Sequence, residues 1–200
     1  MPNRTSQLLQ AVLLFLLALS LNAGAAALRT QARLSEKVIR LHVLANSDSP
    51  ADQALKLRVR DRLLQETAPL LAQARDCRDM EALLRDNLPE LAAAARDTLG
   101  DSYPVTLELR ETEFPTRCYD TFALPAGRYL ALRAVIGDGA GRNWWCVVFP
   151  PLCGATAPDT DSGDFTAEEI GLITRQTVPY TLKFRAVECW ERLRQALSGE

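Results

Sequence analysis

Val38-Ile-Arg-Leu-His-Val-Leu-Ala-Asn-Ser-Asp-Ser-Pro-Ala-Asp-Gln-Ala-Leu-Lys-Leu-Arg-Val-Arg-Asp61 reads as a strand that runs straight into a helix. Val38 to Ala45 is β-branched and apolar. Side chains alternate across a strand, so Ile39, Leu41, Val43 and Ala45 form a wholly apolar face, while Val38, Arg40, His42 and Leu44 share the more polar one. Ser49, Pro50 and Asp52 then mark a helix start. They supply a hydroxyl for an orphan backbone N–H, a proline where no helical hydrogen bond is lost, and a carboxylate near the positive helix end. Ala54, Leu57, Asp61, Leu64, Ala68 and Leu71 follow helical spacing, and apart from Asp61 they predict an inward stripe beside Leu55, Val59 and Leu63. The helix should reach about Arg75 unless Pro69 ends it early. Asp52, Lys56 and Arg60 fall on the opposite, polar face.

Downstream, Asp79 to Leu99 reads as helix, broken near Pro89 and stopped by Gly100. Pro104 to Glu113 sets Val105, Leu107 and Leu109 against Thr106, Glu108 and Arg110, the alternation of a half-exposed antiparallel strand. Tyr129 to Ile136 and Trp144 to Phe149 make two more strands. Gly137-Asp-Gly-Ala-Gly-Arg-Asn143 between them reads as a glycine-rich hairpin loop. Residues 154–169 read as an acidic flexible loop, and Thr166 to Gln176 and Val178 to Ser198 as helices. This order predicts one α+β domain over 38–200, an antiparallel or mixed four-stranded sheet covered by helices.

Ahead of that domain, Arg4, the apolar run Leu8 to Leu21 and the small residues Asn22-Ala-Gly-Ala-Ala-Ala27 have the layout of a signal peptide, with cleavage sites after Ala25 or Ala27. The competing reading is an uncleaved anchor, for which the run is short. Residues 28–37 read as a polar tether. The chain carries 23 basic and 25 acidic residues, a balance that argues against a general nucleic-acid binder. An exported location permits disulfides. Cys146 and Cys153 bracket Pro150-Pro151, so a turn there allows a bridge, and the alternative is that all five cysteines are small packing residues. No pair has the close spacing of a zinc site, and no cofactor is expected.

His42 is the first candidate for chemistry, with Ser47 or Ser49 as nominal nucleophiles and Asp48 close in sequence. No nucleophile elbow surrounds either serine, and Ser49 is better explained as a cap. Asn46, Ser47 and Asp48 suit a turn. Arg58, Arg60 and Arg62 read as solvated helix charges. Trp144 and Trp145 should point to opposite faces, one into the core and the other available to a neighbour. The residues therefore describe a binding protein rather than an enzyme; a secreted hydrolase using His42 and an envelope structural module are the alternatives.

The Val38 to Asp61 segment resembles the stage II sporulation protein R family. The likeness continues through Phe114-Pro-Thr-Arg-Cys-Tyr119, Leu124-Pro-Ala-Gly-Arg-Tyr129 and Gly141-Arg-Asn-Trp-Trp-Cys-Val-Val-Phe-Pro-Pro-Leu-Cys153, and ends around Lys183-Phe-Arg185 and Glu188-Cys-Trp190. The resemblance implies a secreted signal made in the forespore and exported to the space between forespore and mother-cell membranes. There it would activate a membrane-embedded aspartic protease that removes the pro-sequence of sigma-E. It also implies that the corner serves this task. The expected partner surface is His42, Asn46, Ser47, Asp48, Lys56, Arg60, Trp144 and Trp145, facing the protease's extracytoplasmic sensory region.

Overall fold

The computed structural model describes residues 4–119, 122–151 and 165–173. Its centre is β1 (Ile39–Leu44), which lies inside a four-stranded sheet. β5 (Gly127–Ile136) runs parallel to it on one side and β6 (Asn143–Phe149) antiparallel on the other. β2 (Val105–Phe114) pairs antiparallel with β5 along its whole length, so the order is β2-β5-β1-β6. The fold is α+β with a mixed sheet, as the order of elements predicts. The loop 137–142 is not a hairpin, however. β1 is inserted between β5 and β6, so this loop crosses over the end of β1.

One face of the sheet is covered by helices. α2 (Pro50–Leu71) starts as the capping residues require: Ser49 is extended and its hydroxyl accepts from the Asp52 N–H at 3.1 Å, with Pro50 in the first turn. It ends at Leu71 rather than Arg75, soon after Pro69. α3 (Cys77–Asp86) is capped by Asp76, and α4 (Leu88–Leu99) begins with Pro89 in its first turn and stops at Gly100, the break and end that the sequence predicts. Ile39, Leu41 and Val43 pack here with Val59, Leu63, Met80, Leu84, Leu91 and Leu132 in an apolar core. The inward stripe of α2 differs from the expected one. Asp52, Lys56, Val59, Leu63, Thr67 and Leu70 are buried, whereas Ala54 and Ala68 are exposed. Asp52 and Lys56 can be buried because the crossing loop and the corner supply their hydrogen bonds.

The opposite face is covered as well, which corrects the expectation of a polar face for Arg40 and His42. Both are buried, among Leu34, Val38, Phe114, Phe122, Leu124, Tyr129, Val147, Phe165 and Ile173. Two short strands, β3 (Arg117–Cys118) and β4 (Ala123–Leu124), pair beside this cluster. α1 (Arg4–Ser35) reaches it too. Residues 28–35, expected as a tether, continue the helix; Leu34 and Gln31 are buried, and the Gln31 amide donates to the Ala126 carbonyl. α5 (Ala167–Ile173) opens with a reciprocal cap, in which the Thr166 N–H donates to Glu169 and the Glu169 N–H to the Thr166 hydroxyl. Lys37 pairs with Glu169 at 2.8 Å and ties the end of α1 to α5. Burial by itself would raise the Glu169 carboxyl pKa, but the Lys37 and Thr166 hydrogen bonds hold it below the usual range.

The upstream part of α1 is apolar and exposed from Leu8 to Leu21, and Gln7–Ser35 is long and apolar enough to cross a membrane, a property compatible with a signal peptide. The acidic stretch 152–164 and residues 174–200, with Cys153, Cys189 and the expected helix from Val178, lie outside the described residues.

Candidate functional site

The corner after β1 is fastened to the crossing loop 137–142. Ser47 and Asn46 both donate to one Asp52 carboxylate oxygen, at 2.6 and 2.9 Å. These bonds, Ser47 first, hold the Asp52 carboxyl below its ordinary pKa. The Asn46 amide oxygen accepts from the Asp138 N–H, and Asp48 accepts from the Arg142 N–H at 2.7 Å. Backbone bonds from Ala140 and Gly141 to Asn46 and Ala45 complete the seam. Lys56 donates to the Arg142 carbonyl at 3.0 Å and to Gln53 at 2.6 Å; burial, then Arg142, lowers its pKa. Two glycines make this approach possible. A Cβ at Gly137, where φ is 55°, would collide with the Asn46 amide, and one at Gly141 would strike the Ser47 carbonyl. Lys56 is therefore buried, which corrects its placement on a free contact surface, while Asn46 and Ser47 are half-buried with their polar groups engaged inside the fold. Asp48 remains exposed.

His42 is also internal. Its ring stacks on Trp145 with centroids 3.8 Å apart, and Phe114 lies 5.9 Å away. Burial lowers its pKa to about 4, with Asn143 opposing, and neither ring nitrogen makes a hydrogen bond of good geometry among the described residues. Ser47 and Ser49 are committed to Asp52 and the helix cap. No nucleophile–base pair forms among the described residues. Arg40 is fully buried beside His42, over the Phe114 ring at 3.9 Å, and donates to the Tyr119 hydroxyl at 3.0 Å. Its Nε and Nη1 have no partner among the described residues, and burial lowers its pKa.

The open surface lies along β6. A groove of about 540 Å³ is lined by Arg60 and Leu64 of α2, Arg117 and Tyr119 around β3, and Trp144 and Trp145 of β6. Adjacent strand residues point to opposite faces, yet both tryptophans line the groove because β6 is the edge of the sheet and the groove wraps around that edge. Both are half-buried, so the expected division into one core and one free tryptophan does not hold. The Arg60 guanidinium lies 4.3 Å over Trp144 and pairs with Asp61; that of Arg117 lies 5.4 Å from Trp145. Of the expected partner residues the structure brings Arg60, Trp144 and Trp145 together, with His42 directly behind. Arg117 and Tyr119, both in the 114–119 block, join them although no local pattern in the sequence marks either as a contact residue. Cys146 is disulfide-bonded, and Cys153, its expected partner, lies outside the described residues. Cys77 and Cys118 are free, and burial raises the Cys77 thiol to about 11.

Known proteins align with the part of the chain that builds this site. A family model described as stage II sporulation protein R matches residues 35–158. Stage II sporulation protein R of Bacillus subtilis (strain 168) is 37% identical over 123 residues, which cover 60% of this chain and 55% of that protein. The chain thus spans about half the length of that curated relative. No solved structure matches.

Proposed function

The chain belongs to the stage II sporulation protein R family, and from that premise we propose that it is a secreted signal that activates the membrane-embedded aspartic protease processing pro-sigma-E. A role in sporulation follows from the family. The exposed apolar N-terminal helix is compatible with export, and on this reading the domain acts between the forespore and mother-cell membranes.

The observation that carries the binding part of the proposal is the Arg60–Trp144, Arg117–Trp145 groove, an open surface with stacked aromatic and cationic side chains of the type that dominates protein interfaces. A ligand turns on a protease by binding its active arrangement better than its inactive one. Moving the protease from mostly off to mostly on takes about 5 kcal/mol of differential affinity. A groove on a rigid sheet edge, backed by the locked corner, loses little freedom on binding. The His42 geometry lends no support to hydrolysis, since burial lowers the imidazole pKa to about 4, far from pH 7 and so a weak base, and no nucleophile is hydrogen-bonded to it among the described residues.

The test is reconstitution of the purified chain with the protease and pro-sigma-E in membranes. Processing should require the chain and rise with its concentration to saturation. Equal processing with and without the folded chain would overturn the proposal.

A further inference from the structure

The two edges of the sheet are built differently. Along β2 the edge carries charge: Glu108 pairs with Arg110 and Arg133, and Glu111 with Arg128. Charges of this kind keep an edge strand from recruiting another chain. β6, Asn-Trp-Trp-Cys-Val-Val-Phe, has none. Among the described residues β6 pairs only with β1, leaving Asn143, Trp144 and Trp145 with an open side. In an antiparallel pair, alternate residues turn their N–H and C=O groups away from the partner, so this stretch offers backbone donors and acceptors to the groove. α2 and β3 wall that groove on either side of the edge.

From this geometry we infer that the groove accepts an extended acidic segment of the partner protein as a fifth strand beside Asn143–Trp145. Successive side chains of an added strand alternate between the faces of the sheet. One set would lie against Trp144 and Leu64. The next would meet Trp145, Tyr119 and Arg117. Arg60 already has Asp61 as its counter-ion, whereas Arg117 is exposed and has no carboxylate partner among the described residues. Charge complementarity therefore places a carboxylate on the Arg117 side and an apolar side chain on the Leu64 side. The partner segment alternates apolar and acidic residues. For the partner's identity the inference rests on the protease-activation reading; the docking mode is independent of it.

The experiment uses the full chain in detergent micelles with a short synthetic peptide of alternating valine and glutamate as probe. Saturating peptide should slow amide exchange at the outward-facing positions among Asn143–Trp145 about tenfold and shift both indole N–H resonances. A valine–lysine peptide should bind about fivefold more weakly, and Arg117→Glu, verified as folded by circular dichroism, should reverse that preference. A peptide N-methylated on alternate residues keeps its side chains but loses its bonding edge, and should give no protection. Equal binding of the methylated peptide, or unchanged exchange at Asn143–Trp145 with the unmodified one, would overturn strand addition. Protection of the same residues without peptide, together with self-association in ultracentrifugation, would overturn the acidic partner in favour of a second copy of the chain. No protease is present, so failure here leaves the activation reading untouched, and failed processing leaves strand addition standing.

Discussion

The two faces of β1 are buried to a similar depth by unlike chemistry. On one, Ile39, Leu41 and Val43 pack with helix leucines in an apolar cluster. On the other, Arg40 and His42 sit among Phe114, Tyr129 and Trp145, with a guanidinium that has no counter-ion and an imidazole that has no hydrogen bond among the described residues. Taking a charge out of water costs several kcal/mol, and aromatic faces return only part of it. The helical face therefore stabilises the fold. The aromatic face gives up stability to hold Trp145 and Tyr119 at the groove.

The sharpest way to break this contrast is a pair of substitutions. Leu63→Ala, on the helical face, should lower unfolding free energy by about 2–5 kcal/mol, because it leaves a cavity. Arg40→Met, on the aromatic face, should leave stability unchanged or raise it by about 1–3 kcal/mol, because the shape is kept and the unpaired charge is removed. Urea denaturation measures both. A loss from Arg40→Met as large as that from Leu63→Ala would mean that the two faces contribute alike.

His42 adds a dependence on pH. Its folded pKa of about 4 lies below the ordinary 6.5, so the unfolded chain takes up a proton that the folded chain refuses. The stability tied to a neutral His42 is complete above pH 6.5 and is lost as pH falls toward 4. The expected loss is on the order of 2–3 kcal/mol. His42→Leu should flatten the melting temperature across that window while leaving the Asp52-dependent loss at lower pH. An unaltered slope between pH 6.5 and 4 would contradict the buried, neutral imidazole.

A smaller effect separates the cap from the rest of the corner. Ser49→Ala should cost about 1 kcal/mol by removing the acceptor for the Asp52 N–H. Thermal denaturation checks this, and no change would mean that Asp52 and Pro50 start the helix unaided.

What could be read in the sequence was local. Ser49-Pro50 placed the start of α2 because capping acts within one turn, and Pro89 and Gly100 bounded α4 for the same reason. The period-two pattern of β2 was legible because that strand is an edge with one solvated face. Insertion of β1 between β5 and β6 was not, because a short glycine-rich loop suits a hairpin as well as a crossing. Burial of Lys56 was hidden because its acceptor, the Arg142 carbonyl, comes from a loop 86 residues further along the chain. At the groove, Trp144, Trp145 and Arg60 stood out by residue type. Arg117 and Tyr119 did not, since a strand of two residues has no periodicity to detect.

The groove, rather than the corner, is the proposed contact surface. The most direct measurement compares Arg117→Glu with Asp48→Ala in the reconstituted processing assay, at matched concentration and with folding checked by circular dichroism. Arg117→Glu should lower processing about tenfold, equivalent to about 1.4 kcal/mol of lost partner affinity, with little change in melting temperature. Asp48→Ala should process pro-sigma-E nearly as wild type does, once any loss of fold is accounted for. Full processing by a folded Arg117→Glu chain, with failure of a folded Asp48→Ala chain, would contradict the account and place the contact on the corner.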